Sequence, residues 1–146
     1  MIVTFCGHRD FQAKRGEEEK FCKILESIEA ECQTLIFYCG GYGNFDRFAS
    51  YCVYKFKRLH PLIKSYYISP YLSETHLQKK LIEGYYDGVY YPSLENIPQR
   101  FAIIKRNEWM VDQADIIVSC ISNPCGGAAR TLEYARRKGK RIISLM

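Results

Sequence analysis

Leu35-Ile36-Phe37-Tyr38-Cys39-Gly40-Gly41-Tyr42-Gly43-Asn44-Phe45-Asp46 sets a short apolar run directly against a glycine-rich turn. Beyond the turn the apolar period changes. Phe45, Phe48, Ala49, Cys52, Val53 and Phe56 repeat at helical spacing and form the clearest amphipathic stripe in the chain. A buried strand, a tight turn and a covering helix make one step of a parallel βαβ ladder. The same order recurs on either side. Ile2–Cys6 is stopped by Gly7, then Phe21, Leu25, Ile28 and Cys32 repeat at helical spacing, with Glu17, Glu18 and Glu19 at the positive helix start. Ile63–Ser69 reads as a third strand ended before Pro70, residues 98–113 as a helix, and Asp115–Ile121 as a continuous buried strand. Ala128, Leu132 and Ala135 mark a last helix closed at Gly139, before a final strand Arg141–Met146.

These elements predict one α/β domain over residues 1–146. Its fold is a single Rossmann-like, doubly wound, mainly parallel sheet of about five strands with helices on both faces. Residues 70–97 break the pattern. Pro70 and Pro92 bracket Tyr71, Tyr85, Tyr86, Tyr90 and Tyr91, and periodicity is faint. This reads as a tyrosine-rich insertion holding a helix, a short extra strand at Gly88–Tyr91 and a long loop.

Of the 146 residues, 47% are hydrophobic and 25% charged, a balance that excludes disorder and lets the chain bury its own core. No apolar run approaches the ~18–20 residues of a membrane span, and Met1–Asp10 lacks the basic start of a signal peptide. The expectation is a soluble, cytoplasmic protein with no membrane partner. The seven cysteines are odd in number and form no C-x-x-C pair, so they read as buried packing groups rather than a disulfide or metal set. Cys125 differs, because it sits in a glycine-rich loop. Arg130, Arg136, Arg137, Lys138, Lys140 and Arg141 face the single acid Glu133, so residues 130–141 hold the whole formal excess of +5. A solvated helix face explains that run better than a nucleic-acid surface, and no groove-reading motif accompanies it.

Ligands of doubly wound sheets bind outside the carboxyl ends of the strands. Three strand ends here carry suggestive loops: Gly7-His8-Arg9-Asp10, Gly40-Gly41-Tyr42-Gly43-Asn44 and Ser122-Asn123-Pro124-Cys125-Gly126-Gly127. Glycine at a strand–helix turn lets backbone amides approach an anion, and the helix start adds favourable partial charge. Neither glycine turn is a P-loop, since no Gly-Lys-Ser/Thr follows, and neither matches G-x-G-x-x-G. Triphosphate hydrolysis and a standard dinucleotide dehydrogenase are therefore disfavoured.

Taken in order, four motifs resemble the SLOG superfamily, and within it the small YpsA-like branch. They are Cys6-Gly7-His8-Arg9, then Gly40-Gly41-x-Gly43-x-x-Asp46-x-x-Ala49, then Arg106-x-x-Trp109-Met110-x-x-x-x-Asp115, then Gly126-Gly127-x-x-x-Thr131-x-x-Tyr134-Ala135. The superfamily includes the lonely-guy cytokinin-activating phosphoribohydrolases and the DNA-processing DprA proteins. The resemblance implies a Rossmann-like domain that binds a nucleotide or nucleotide derivative. Its phosphoribohydrolase members cleave N-glycosidic bonds with an arginine and a glutamate near the glycine-rich loop. Arg106 matches that arginine, and Glu133 is the nearest counterpart of the glutamate. The chain departs from the hydrolases' P-G-G-x-G-T-x-x-E, having Gly126-Gly127-Ala128-Ala129-Arg130-Thr131 instead. That departure weakens hydrolysis more than binding.

The expected ligand-binding set is Gly7, His8, Arg9, Gly40, Gly41, Gly43, Asp46, Asn123, Gly126, Gly127 and Thr131, with Arg106 and Glu133 as the catalytic pair if turnover occurs. The guanidinium fork of Arg9 suits a phosphate or carboxyl group. His8 either contacts ligand, moves a proton or braces the turn. Asp46 is placed to bind ribose hydroxyls or polarise a water. No metal or cofactor is implied. The expected partner is a nucleotide or nucleotide-derived small molecule bound by a sensing module, with an N-glycosidase acting on nucleoside monophosphates as the alternative. Homo-oligomer formation is compatible with this reading, and nucleic acid is not an expected partner.

Overall fold

The computed structural model describes residues 1–146. Strands β1 (Ile2–Gly7), β2 (Ile36–Cys39), β3 (Lys64–Ile68), β4 (Gly88–Tyr90), β5 (Ile116–Cys120) and β6 (Arg141–Ser144) alternate with helices α1 (Glu17–Glu29), α2 (Gly43–Leu59), α3 (Glu74–Ile82), α4 (Ala102–Gln113) and α5 (Gly127–Arg137). All strand pairs are parallel, in the order β4-β3-β2-β1-β5-β6. The chain leaves β1 toward one edge, then returns to add β5 on its other side. That reversal lies between β1 and β5, where Cys6 is level with Ser119 and Gly7 with Cys120.

Strand alternation divides the core between the two faces. Val3, Phe5, Phe37, Ile116 and Val118 point to one side, beneath Phe21, Leu25 and Ile28 of α1 and Phe45, Ala49 and Val53 of α2. Cys6 and Ile117 point to the other, beneath Val111 of α4 and Leu132 and Ala135 of α5. The amphipathic stripes predicted for these helices are the faces they bury. All seven cysteines are unpaired. No helix is long and apolar enough to cross a membrane.

The sheet has six strands, the five of the main pattern and β4, the short extra strand expected at Gly88–Tyr91 within the tyrosine-rich insertion. The insertion also holds α3, capped by the Ser73 hydroxyl, which accepts from the His76 amide at 3.4 Å. Trp109 stacks between Tyr38 and Tyr90, with ring centroids 5.7 and 5.1 Å away, so aromatic packing fixes its place on α4. The basic run is partly paired, with Arg130 and Arg137 left without an acid partner. Arg141 pairs with Glu31, Arg136 with Glu133, and Lys138 with Asp112, while Lys140 donates to the Asp112 carbonyl.

Candidate functional site

At the reversal between β1 and β5 a cleft of about 480 Å³ opens across the carboxyl ends of the strands. From the ligand set expected above, Gly7, His8, Arg9, Asp46, Asn123, Gly126, Gly127 and Thr131 line it, together with Arg106. These residues come from β1, α2, α4 and the turn into α5, so parallel topology alone assembles them.

Arg106 forms the floor. The residue is 0% exposed, and its Nη1 donates at 2.8 Å to the carbonyls of both Gly40 and Ile68, the terminal acceptors of β2 and β3. Its Nε donates to Asn107 Oδ1 at 2.9 Å. Its Nη2 is buried and has no partner. The Tyr42 ring lies 5.6 Å from the guanidinium carbon. Asp46 stands nearby in the first turn of α2, where its Oδ2 accepts from the Tyr42 amide at 3.0 Å. Burial pushes the Asp46 carboxyl up to about 6, against the opposing pull of Arg106 and that amide hydrogen bond.

On the far wall, α5 begins at Gly126, whose φ of 98° is open to glycine without strain, and no side chain caps the helix. A Cβ built at Gly126 or Gly127 would meet nothing within 4 Å. The start of α5 thus lies uncapped at the cleft wall, where Gly126, Gly127 and Ala128 line the space. Arg9 projects from the β1 turn, exposed at the cleft mouth.

His8 takes the bracing role. Its Nε2 accepts from the amides of Ser122 at 3.0 Å and Asn123 at 3.1 Å, so the ring ties the β1 turn to the β5 turn and carries its hydrogen on Nδ1. Asn123 Oδ1 accepts from the Cys125 amide at 3.0 Å, which shapes the approach to α5. The Thr131 hydroxyl is turned inward to the Gly127 carbonyl at 3.0 Å.

The remaining expected residues fall elsewhere. Glu133 does not converge with Arg106. It lies in a separate groove between α4 and α5 and pairs with Arg136 at 3.7 Å, because its position on α5 turns it away from the strand ends. Gly41 and Gly43 serve the turn and its packing. Both have positive φ, of 68° and 83°, and a Cβ would come within 2.6 Å of the Tyr67 ring or 2.9 Å of Arg9 Cα. Gly40 sits behind the floor, between Asp46 and Arg106. Tyr42, Ile103 and Asn107 line the cleft although no motif marked them. Ile103 stands one helical turn before Arg106, a spacing that could have identified it.

No family model matches the chain. It is similar to the uncharacterized SPbeta prophage-derived protein YoqJ of Bacillus subtilis (strain 168), 22% identical in a 145-position alignment covering 82% of this chain and 80% of that protein. Two solved structures of DNA processing protein A resemble it. The Helicobacter pylori protein, described for its single-stranded DNA binding mode, gives a TM-score of 0.66 at 14% identity over 99% of this chain and 64% of that one. The Streptococcus pneumoniae protein gives 0.66 at 15% identity over 97% of this chain and 49% of that one. The chain thus spans less than two thirds of either. The Moco carrier protein of Chlamydomonas rheinhardtii gives a TM-score of 0.54 at 11% identity over 98% of this chain and 74% of that one. What these likenesses establish is the parallel Rossmann-like sheet, consistent with the SLOG-like fold implied by the strand-end motifs.

Proposed function

We propose that the cleft binds a nucleotide or nucleotide-derived small molecule, for capture or sensing rather than turnover, in a domain nearest to the YpsA-like branch. The observation that carries this reading is Nη2 of Arg106, a guanidinium donor buried on the cleft floor without an acceptor. An unsatisfied buried donor of this kind is costly, and a ligand oxygen relieves the cost. The uncapped start of α5 supplies amides for a phosphate, with Arg9 closing over it. A sugar hydroxyl fits the space between Asp46 and Arg106, donating to the carboxylate and accepting from the guanidinium.

Cleavage at an N-glycosidic bond has less support, because Glu133 lies outside the cleft. Any such activity would fall to Asp46. A small ligand is also favoured over a polynucleotide by the ion pairs that engage three of the six cations of the basic run. The DprA proteins nevertheless make a single strand the necessary competitor.

Calorimetry with AMP and with a single-stranded oligonucleotide, followed by chromatography for free adenine, separates these outcomes. AMP binding that is lost in Arg9→Ala, with no adenine released, supports the reading. Adenine release replaces sensing by hydrolysis. Binding of the oligonucleotide alone replaces the small molecule by nucleic acid.

A further inference from the structure

Behind the Gly40–Gly43 turn lies a second recess, a groove of about 530 Å³ between α2 and α3 that shares no lining residue with the cleft. The turn divides them, with Gly41 facing the groove and Tyr42 the cleft. Two cations line the groove, Arg47 of α2 and Lys80 of α3, against one acid, Glu83.

Lys80 is the unusual member. Its side chain is only 17% exposed, and its sole ionic contact is Glu83 at 3.6 Å, beyond hydrogen-bond reach. Its Nζ stands 5.1 Å from the Tyr67 ring centroid and would lie 3.6 Å from a Cβ at Gly41, so the ammonium reaches the back of the glycine turn. An ammonium carries three donors, and none of those of Lys80 meets a protein acceptor, which leaves them free for a ligand oxygen. Arg47 is exposed, and the one protein acceptor of its fork is Asn44 Oδ1 at 3.3 Å. The walls are tyrosine. Tyr86 directs its hydroxyl to Ser50 at 3.0 Å and packs its ring on Tyr67, forming the base of the groove beside Tyr51 and Tyr85. Helix α3 itself buries no side chain, so apolar packing does not account for its position. What it contributes is Lys80, and His76, whose Nε2 meets the Tyr67 hydroxyl at 2.9 Å.

We propose that this groove is a second ligand site, which takes the phosphate ester of a small aromatic molecule. Lys80 and Arg47 hold the oxyanion, while Tyr51, Tyr85 and Tyr86 flank the aromatic part. A phosphate ester is preferred to a carboxylate because its charge of about −1.5 to −2 at pH 7 answers both cations in the presence of Glu83. The site stands independently of the cleft reading.

The test is titration of phenyl phosphate into ¹⁵N-labelled protein, with inorganic phosphate and benzoate as comparison arms. The amides of Lys80, Glu83, Tyr85 and Tyr86 should move together, with phenyl phosphate binding tighter than either comparison. Lys80→Gln and Arg47→Gln should each weaken it about tenfold, as loss of one charged hydrogen bond predicts. Arg9→Ala, which acts on the cleft, should leave the shifts of the groove amides unchanged. Groove amides that stay still, affinity at the groove equal to wild type in the two glutamine variants, or groove shifts lost in Arg9→Ala would each overturn the proposal. Movement confined to the start of α5 would reject the groove and leave the cleft standing.

Discussion

The carboxylate of Asp46 and the guanidinium of Arg106 face each other across Gly40, and the missing side chain of that glycine keeps the space between them open. A Cβ there would sit 3.0 Å from Asp46 Oδ2 and 3.3 Å from both Cζ and Nη2 of Arg106. The two groups do not close into a direct pair, and Nη2 remains without an acceptor. On the proposed reading, a ligand oxygen entering that space would supply the acceptor Nη2 lacks.

Gly40→Ala tests that gap. The backbone at Gly40 is not in the left-handed region, so alanine is tolerated conformationally. Its methyl must push against a fully buried arginine, at a stability cost of about 1 kcal/mol. Affinity for AMP should fall disproportionately, by about tenfold or more. A folded variant with unchanged affinity would show that the space between Asp46 and Arg106 is not used.

Gly127→Ala separates ligand approach from turn geometry. Nothing lies within 4 Å of a Cβ at Gly127, and the residue opens α5. Alanine there should raise stability, by up to about 1 kcal/mol, because it is the better helix former. If phosphate rests on these amides, the same methyl weakens binding. Gly41→Ala should do the reverse, unfolding the turn against Tyr67. Thermal melts and calorimetry on both variants give the comparison. Unaltered AMP affinity in a stabilised Gly127→Ala would remove the start of α5 from the site.

The parallel fold was legible because strand–turn–helix steps recur at Ile2–Cys6, Leu35–Cys39 and Asp115–Ile121 with the same change of period. The sixth strand was the hard one. Gly88–Tyr90 is three residues long and lies in a tyrosine-rich stretch whose rings pack on Trp109 rather than into a repeating stripe. At the site, glycine turns identified the correct sheet edge but not each glycine's purpose. Gly126 and Gly127 open to solvent, whereas Gly41 and Gly43 accommodate Tyr67 and Arg9. That distinction depends on side chains far away in sequence. Arg106 was identifiable as a charge on an otherwise apolar helical face. The disposition of Glu133 depends on the phase of α5, which the altered loop Gly126–Thr131 obscured.

His8 should act through the loop it holds. Its Nε2 accepts two amides from the β5 turn, at 3.0 and 3.1 Å. His8→Ala frees both, so hydrogen exchange at Ser122 and Asn123 should accelerate. AMP affinity should fall by about 1–2 kcal/mol as the approach to α5 loses its brace. His8→Gln keeps an acceptor and should recover part of the protection. Equal exchange rates in wild type and His8→Ala would contradict the bracing role.

Asp46 should impose a pH dependence on stability whose sign follows from its burial. The carboxyl is raised from 3.8 to about 6 in the folded protein. Between about pH 4 and 6 the folded state therefore binds a proton that the unfolded chain has released. Its contribution to stability is greatest at the acid end of that window and declines as pH rises through it. Asp46→Asn abolishes this titration while keeping a group that can accept from the Tyr42 amide. All other carboxyls and histidines are common to both proteins, so their effects cancel in the difference. The melting temperature of wild type minus that of Asp46→Asn should be more positive at pH 5 than at pH 7.5. Ligand binding should follow the ionised form, because a hydroxyl donating to Asp46 needs a carboxylate acceptor. Wild type should consequently lose affinity for adenosine, which carries no titrating phosphate, as pH falls below 6, while Asp46→Asn should bind weakly throughout. A melting-temperature difference that stays flat from pH 5 to 7.5 would mean that Asp46 is not held as a raised carboxyl. The two proteins losing adenosine affinity in parallel would remove it from the sugar contact.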